Sequence, residues 1–291
     1  GDMSQPKENY SAKLRAKSMV YFVICIILTL ICLVPIYILI INATRKHVDI
    51  ISSVSFIPGS NLAANVKKLL NDPMFQFDPF IGFKNSAIIA VGSTVLSVFF
   101  SALTAYGLVV YDFKLRGPAY TFILVVMMVP MQVTSVGFLQ FMIKLGLSDS
   151  FIPLIVPTIA APAIVFFMRQ YLKSSFPLDI VEAARIDGCG EFRTFLTIAI
   201  PMMKPAIAVQ AIFAFIQNWN NFYQPSMILV SRKFEQITMP MMINMLKSND
   251  KIADYGVIYA GIALSIIPVV VIYLLLSRFI VEGVALGGVK E

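Results

Sequence analysis

The chain has 291 residues, 58% of them hydrophobic and only 13% charged, with a mean hydropathy of +0.81. A soluble domain usually carries about 25% charged and about 45–50% apolar residues. Here the apolar excess comes in uninterrupted blocks, which excludes a secreted disulfide scaffold, a disordered chain and most soluble enzymes. The 23 Lys and Arg residues give a net charge of +7 but form no dense basic run. That surplus fits loops beside anionic membrane lipids and not a nucleic acid partner.

A bilayer-spanning helix needs about 20 mostly apolar residues. The first candidate, residues 19–41, carries no charge. Its lead of Lys13, Arg15 and Lys17 resembles a signal peptide, but the run is too long and no small-residue cleavage pattern follows. It reads as an uncleaved first span, and Gly1 and Asp2, ahead of the first Met, read as a cloning scar. Cys25 and Cys32 lie on this run, about 10 Å apart as a helix and beyond disulfide reach. With Cys189 they show no metal-ligand spacing, so no metal site is expected. His47, the single histidine, follows Arg45 and Lys46 just past the run and reads as a solvated loop residue. Asn42-Ala43-Thr44 matches a glycosylation triplet of a kind common by chance.

Further apolar runs at 83–110, 119–143, 151–171, 206–230 and 256–278 bring the expected spans to six. Ser93, Ser97, Ser101 and Ala105 form a small-residue ridge on the second, which close helix packing explains. Pro130 interrupts the third, with Met127, Met128, Met131 and Gln132 around it; a bend there would serve either a gate or a lipid-facing surface. Pro153, Pro157 and Pro162 weaken the fourth as an isolated helix, although prolines are tolerated in membranes where neighbours satisfy the freed carbonyls. An even number of spans puts both termini on one side. A mild excess of Lys and Arg at 1–18, 111–118 and 169–205 favours the cytoplasm for them.

The segment between the fourth and fifth spans carries the most information. Pro177 suits a first helical turn, Asp179 and Glu182 lie near its positive end, and Gly188 is a natural stop. After Cys189 and Gly190 a second short helix is expected, with Phe192, Phe195, Leu196 and Ala199 as one apolar stripe and Pro201 as its end. The reading is two short helices joined by a glycine elbow. Ala183 and Ala184 would leave a low surface for another protein's backbone. An ordinary interfacial loop would need neither the Glu-Ala-Ala run nor a glycine at a set distance.

Glu182-Ala183-Ala184, Asp187-Gly188, Ile198-Ala199-Ile200-Pro201 and Pro205 resemble the EAA loop of ABC importer permeases. Cys189 and Ile200 depart slightly from the usual alanine and leucine. Asn85-Ser86, Ala105-Tyr106, 113–117, 145–147, 218–222 and 281–290 are similar to the carbohydrate-uptake subfamily, and to its shorter, maltose-permease MalG-type subunit. The likeness covers about 80–290; the first 80 residues match only in layout.

The resemblance implies an all-α membrane protein of the ABC type I importer permease fold with about six transmembrane helices and cytoplasmic termini. The implied organisation is a cytoplasmic segment 1–18, a permease domain 19–279 and a cytoplasmic tail 280–291. The domain contains the coupling loop 172–205, whose Glu182, Ala183, Ala184, Asp187, Gly188 and Pro201 would dock on a cytoplasmic ATPase. The implied partners are a second permease subunit in a heterodimer, paired ABC ATPase subunits and an extracytoplasmic sugar-binding protein. ATP and Mg would be used by the ATPase, with no cofactor bound by this chain and no catalytic residue in it. Gly283 and Gly288 have P-loop spacing, yet Val289 stands where the lysine belongs.

On the expected fifth span Gln210, Gln217, Asn221 and Gln224 fall within about 40° of one helical line, with Asn218 beside it. Amides offer donor and acceptor to sugar hydroxyls, so these residues are the candidate substrate path. Interhelical hydrogen bonding is the alternative. Arg232, Lys233 and Glu235, in the polar loop 231–255, are candidates for docking the binding protein; a plain solvated loop is the alternative. Two other functions fit the apolar layout: an importer permease for a non-sugar solute, and a polytopic membrane transferase. The transferase would need surface acids, and most of the acids on the inner loops fall within the Glu182 loop.

Overall fold

The computed structural model describes residues 5–249 and 253–287, and among these the regular structure is helical without a strand. Two compact units divide it, residues up to Gln76 with Leu246–Leu264, and Phe77–Met245 with the chain from Ser265 onward. Gly1 and Asp2, Asp250 and Lys251 of the loop expected to face outward, and Gly288 to Glu291 lie outside the described residues.

In the first unit α1 runs Gln5–Ala43. Its apolar side chains from Met19 to Val34 are almost all exposed, as a helix facing lipid requires. The short α2 (His47–Ser52) and α3 (Leu62–Asn71) follow. Arg45 is not a solvated loop charge: it is 7% exposed. Its guanidinium donates to Asn42 Oδ1 at 3.2 Å, the Asp49 carbonyl at 2.7 Å and Ser53 Oγ at 3.1 Å. A cation placed past the end of α1 and beside the last carbonyls of α2 is stabilised by both helix dipoles. Asn42 is thereby buried in a structural role. His47 is half-buried rather than solvated. Its ring stacks on Tyr255 at 5.2 Å and its Nδ1 accepts the Tyr255 N–H at 3.1 Å.

In the second unit α4 (Pro79–Val110) is the central helix. Asp78 caps it by accepting the Phe80 and Ile81 N–H groups at 2.9 and 3.3 Å, and Pro79 occupies the first turn, where no N–H is needed. Then come α5 (Arg116–Met127) and α6 (Met131–Lys144). The next segment is built of α7 (Ile152–Ile155), a 3-10 turn over Val156–Ile159 and α8 (Pro162–Ser175). Pro153, Pro157 and Pro162 each stand in the first turn of one piece, so none has to interrupt a regular helix.

The chain continues through α9 (Asp179–Ile186), α10 (Glu191–Thr194), a π-turn at Phe195–Ala199, α11 (Ile200–Met202), α12 (Lys204–Trp219) and α13 (Tyr223–Ile228). A 3-10 turn at Phe234–Gln236 leads to α14 (Met239–Ser248), and α15 covers Tyr255–Gly287.

Among the described residues four helical segments are long and apolar enough to cross a membrane, and up to six if each of two bent pairs forms one span. The third expected span is one such pair, α5 and α6, bent by 94° at Met128–Pro130. The fifth differs more. Its helix ends at Trp219 instead of running to 230, and the segment Glu191–Met202 meets α12 at 80°. The last helix continues past 279 to Gly287, so residues 280–287 are helical and continuous with the expected sixth span.

The core of this unit is gripped by α4, α8 and α12. Val98, Ala102, Ala105 and Tyr106 of α4 meet Met168 and Leu172 of α8 and Ala214 of α12. Phe176, Val181, Phe195, Ala199 and Met203 complete the cluster, so the loop after α8 is packed into the core. The small-residue ridge on α4 is buried where it lets the α7–α8 segment approach. Ser93 Oγ donates to the Leu154 carbonyl at 3.1 Å and Ser101 Oγ to that of Ala161 at 3.4 Å.

Candidate coupling elbow, amide cluster and outer loop

Gly188 sits at φ +75°, between α9 and α10. This left-handed conformation costs an L-residue with a Cβ about 1–2 kcal/mol and glycine nothing comparable. The Gly188 and Cys189 N–H groups return to the Arg185 and Ala184 carbonyls at 3.0 and 2.9 Å, closing the helix end. Beyond the elbow the chain forms α10, then widens into a π-turn in which the Ile200 N–H reaches back to the Phe195 carbonyl. Pro201 lies inside the next short helix and does not end the segment; the break falls at Met203. A proline has no N–H to give and its ring crowds the carbonyl four residues earlier, and the wider turn stands directly ahead of it.

The two alanines of the elbow differ in exposure. Val181 is buried in the core and Ala184 is 6% exposed, whereas Ala183 and Glu182 are exposed. The expected apolar stripe is likewise split: Phe195 and Ala199 are buried, while Phe192 and Leu196 are 58% and 41% exposed. The π-turn at Phe195–Ala199 breaks the 3.6-residue periodicity on which the stripe was placed. The elbow encloses an open groove of about 510 Å³ lined by Ile180, Ala183, Ala184, Asp187, Cys189, Arg193 and Thr197 among others. Its lining combines apolar Ile180 and Ile198 with charged Asp187 and Arg193.

A network that the sequence reading missed fixes the elbow angle. The Arg185 guanidinium donates to both Glu191 carboxylate oxygens, at 2.7 and 3.2 Å, and the Tyr111 hydroxyl donates to Glu191 Oε2 at 2.6 Å. Arg185 also lies over the Tyr111 ring at 5.8 Å. Arg185, and then Tyr111, hold the Glu191 carboxyl below the usual range. Burial first, and the bond to Glu191 second, push the Tyr111 hydroxyl up to about 12. An Arg and a Glu six residues apart across two glycines was the one available signal.

The candidate path residues do not form one line. The turn Asn220–Phe222 separates α12, with Gln210, Gln217 and Asn218, from α13, with Gln224. Asn218 Nδ2 donates to the Ala214 carbonyl of its own helix at 2.8 Å. Asn221 stands at the start of α13, where its Oδ1 accepts the Gln224 N–H at 3.2 Å and its Nδ2 donates to Gln224 Oε1 at 2.8 Å. Those two amides are thus partly engaged in shaping the break, and Gln217 is exposed. Trp219 turns inward and donates from Nε1 to the Ser265 carbonyl at 3.1 Å.

Arg232, Lys233 and Glu235 are all exposed in the loop between α13 and α14. Arg232 adopts φ +45°, uncommon for a residue with a side chain. The same loop is anchored by the Asn85-Ser86 pair of α4. Asn85 Nδ2 donates to the Glu235 and Ile237 carbonyls at 2.7 and 3.0 Å, and Ser86 Oγ accepts the Met239 N–H at 2.8 Å.

Comparison with known proteins places this geometry in context. The profile of the family described as "Binding-protein-dependent transport system inner membrane component" matches residues 97–285. The chain is 35% identical over 268 residues to the arabinooligosaccharides transport system permease protein AraQ of Bacillus subtilis, covering 90% of this chain and 92% of that one. It is 33% identical to the lactose transport system permease protein LacG of Rhizobium radiobacter, covering 74% and 77%. To the sn-glycerol-3-phosphate transport system permease protein UgpE of Pectobacterium atrosepticum it is 28% identical, covering 90% and 93%. In fold it is similar to a chain of a bacterial ABC transporter involved in the import of the acidic polysaccharide alginate. The TM-score is 0.70 at 22% identity, over 96% of this chain and 99% of that one.

Proposed function

The chain belongs to the family of binding-protein-dependent transport system inner membrane components, and from that premise we propose that it forms half of the translocation path of an ATP-driven sugar or oligosaccharide importer. It is a multi-pass protein of the inner membrane, and its role is that of a permease subunit. A second, similar permease would supply the other half of the path. Two ATPase subunits would dock at the elbow and use ATP and Mg, and an extracytoplasmic binding protein would deliver the sugar. In this reading the termini and residues 172–205 are cytoplasmic, and the loop after α13 faces outward.

The observation that carries the reading is the packed elbow. Phe176, Val181 and Phe195 root it in the core of α4, α8 and α12, while Glu182, Ala183 and the groove stay open. A force applied at the groove therefore reaches the membrane helices through side-chain packing. The transport cycle is two-state. ATP binds the closed ATPase pair better than the open pair, and a rigidly rooted elbow passes that difference to the path. Gln210, Gln217, Asn218, Asn221 and Gln224 are neutral, which suits a hydroxylated solute. The resemblance to a glycerol-3-phosphate permease favours a second reading, a phosphorylated solute.

Purification from native membranes in mild detergent, followed by intact-complex mass, tests the assignment. The expected result is one second permease and two ATPase chains, and sugars screened against the co-purified binding protein then separate neutral from phosphorylated solutes. The variant Glu182→Lys should abolish uptake and loosen the ATPase; normal uptake would remove the coupling role from this loop.

A further inference from the structure

Asp149 lies in the turn after α6, at φ +60°, 82 residues before the loop that follows α13. From there it makes four hydrogen bonds to that loop or its start. Its N–H donates to the Ile228 carbonyl at 3.0 Å. Its Oδ1 accepts the Ser231 N–H at 2.8 Å and its Oδ2 the Ser231 hydroxyl at 2.5 Å. Its carbonyl accepts from Gln236 Nε2 at 2.9 Å. With Asn85 and Ser86 holding residues 235–239, the loop is fastened at both ends and at its base.

Between the fastenings Arg232 is held at φ +45°, and Arg232 and Lys233 project as an exposed basic pair. A left-handed conformation for an arginine persists only where its surroundings impose it. The Asp149 carboxylate is bonded to the residue directly before Arg232, and the Arg232 N–H returns to the Leu229 carbonyl at 3.2 Å.

We propose that Asp149 is a positioning residue, which shapes the 229–237 loop so that Arg232 and Lys233 meet an acidic patch on the binding protein. This rests on the reading of the loop as the binding-protein docking element. Its chemistry is preorganisation. A loop already in its bound shape loses less conformational freedom on docking, and a basic pair raises the encounter rate with an acidic partner. Asp149 need not touch the partner.

The test uses the complete importer in lipid nanodiscs and reads ATP hydrolysis against binding-protein concentration. Asp149→Ala should raise the half-saturating concentration roughly tenfold while leaving the basal and the maximal stimulated rates near normal. A variant that merely damaged the fold would lower the maximal rate instead. Arg232→Glu with Lys233→Glu should raise the same concentration and reverse its salt dependence. If the charge reversal acts and Asp149→Ala does not, the positioning role is refuted and the docking reading stands. If neither acts, the docking reading itself fails. Should Asp149→Ala not assemble, Ser231→Ala removes the hydroxyl bond to the Asp149 carboxylate and Gln236→Ala the bond to its carbonyl, each loosening the loop from its own side. Unchanged half-saturation in both would equally overturn the proposal.

Discussion

Arg185 and Glu191 meet across the glycine elbow, Nε to Oε1 at 2.7 Å and Nη2 to Oε2 at 3.2 Å. Their side chains are 41% and 46% exposed, so salt screens the pair and its main effect is geometric. The planar guanidinium fork sets one angle between α9 and α10, and Tyr111 ties that angle to the end of α4. Glu191→Gln should therefore preserve folding and complex assembly while lowering the sugar transported per ATP hydrolysed several-fold. Parallel uptake and ATPase assays in proteoliposomes would show it. An unchanged ratio would count against the clamp.

The unequal exposure of the two alanines gives a second prediction. Ala184 is only 6% exposed, so Ala184→Leu overfills a closed space at a cost of about 1–3 kcal/mol. It should lower the thermal midpoint of the purified protein. Ala183→Leu, on the open groove, should leave that midpoint unchanged and prevent ATPase association in pull-down. Loss of stability in both variants would show that both alanines pack inside.

Glycines separate conformational from steric need. Gly188→Ala meets no atom within 4 Å, yet its φ of +75° should cost about 1–2 kcal/mol. Gly190, two residues on at φ −69° and equally open, should accept alanine at little cost. Gly256 is the opposite case. An added Cβ would lie 2.5 Å from the Arg45 carbonyl oxygen and 2.7 Å from Asn65 Nδ2, so Gly256→Ala should be the most destabilising of the three. Chemical-denaturation midpoints of the three variants, ranked against wild type, test the order.

Asp149 sets a pH dependence of known sign. The Ser231 hydroxyl and backbone N–H hold its carboxyl below the ordinary value of 3.8. A depressed native pKa contributes stability above the unfolded value, and that contribution is lost as pH falls through the native one. The difference in unfolding midpoint between wild type and Asp149→Asn should then be constant from about pH 5 to pH 8 and shrink below about pH 4. A difference that varied across the neutral range would assign the effect to another group.

Much of this protein was written locally. The uncharged run after Lys17, the glycine elbow at Gly188 and the Glu182-Ala183-Ala184 sequence each express a short-range rule: hydrocarbon thickness, a left-handed turn, a small surface. From these followed a multi-span helical membrane protein and the place of the elbow, while its permease family came from the resemblance of the Glu182 loop to a known motif.

What the residues could not reveal was where a helix would break and which way its side chains would turn. The fifth apolar run looked continuous to 230 but stops at Trp219, whose indole is bonded to Ser265, a partner 46 residues away. Phe192, Phe195, Leu196 and Ala199 looked like one stripe, yet Phe195 and Ala199, the two ends of the π-turn, are buried while Phe192 and Leu196 are exposed. Asp149 carried no sign of its part, because the groups that it fastens are 82 residues further along. Run length and turn chemistry are properties of neighbouring residues, and the sequence determined those. Breaks, facing and fastening depend on which distant backbone and side-chain groups are close enough to satisfy a polar atom or fill a gap, and only the tertiary structure decided them.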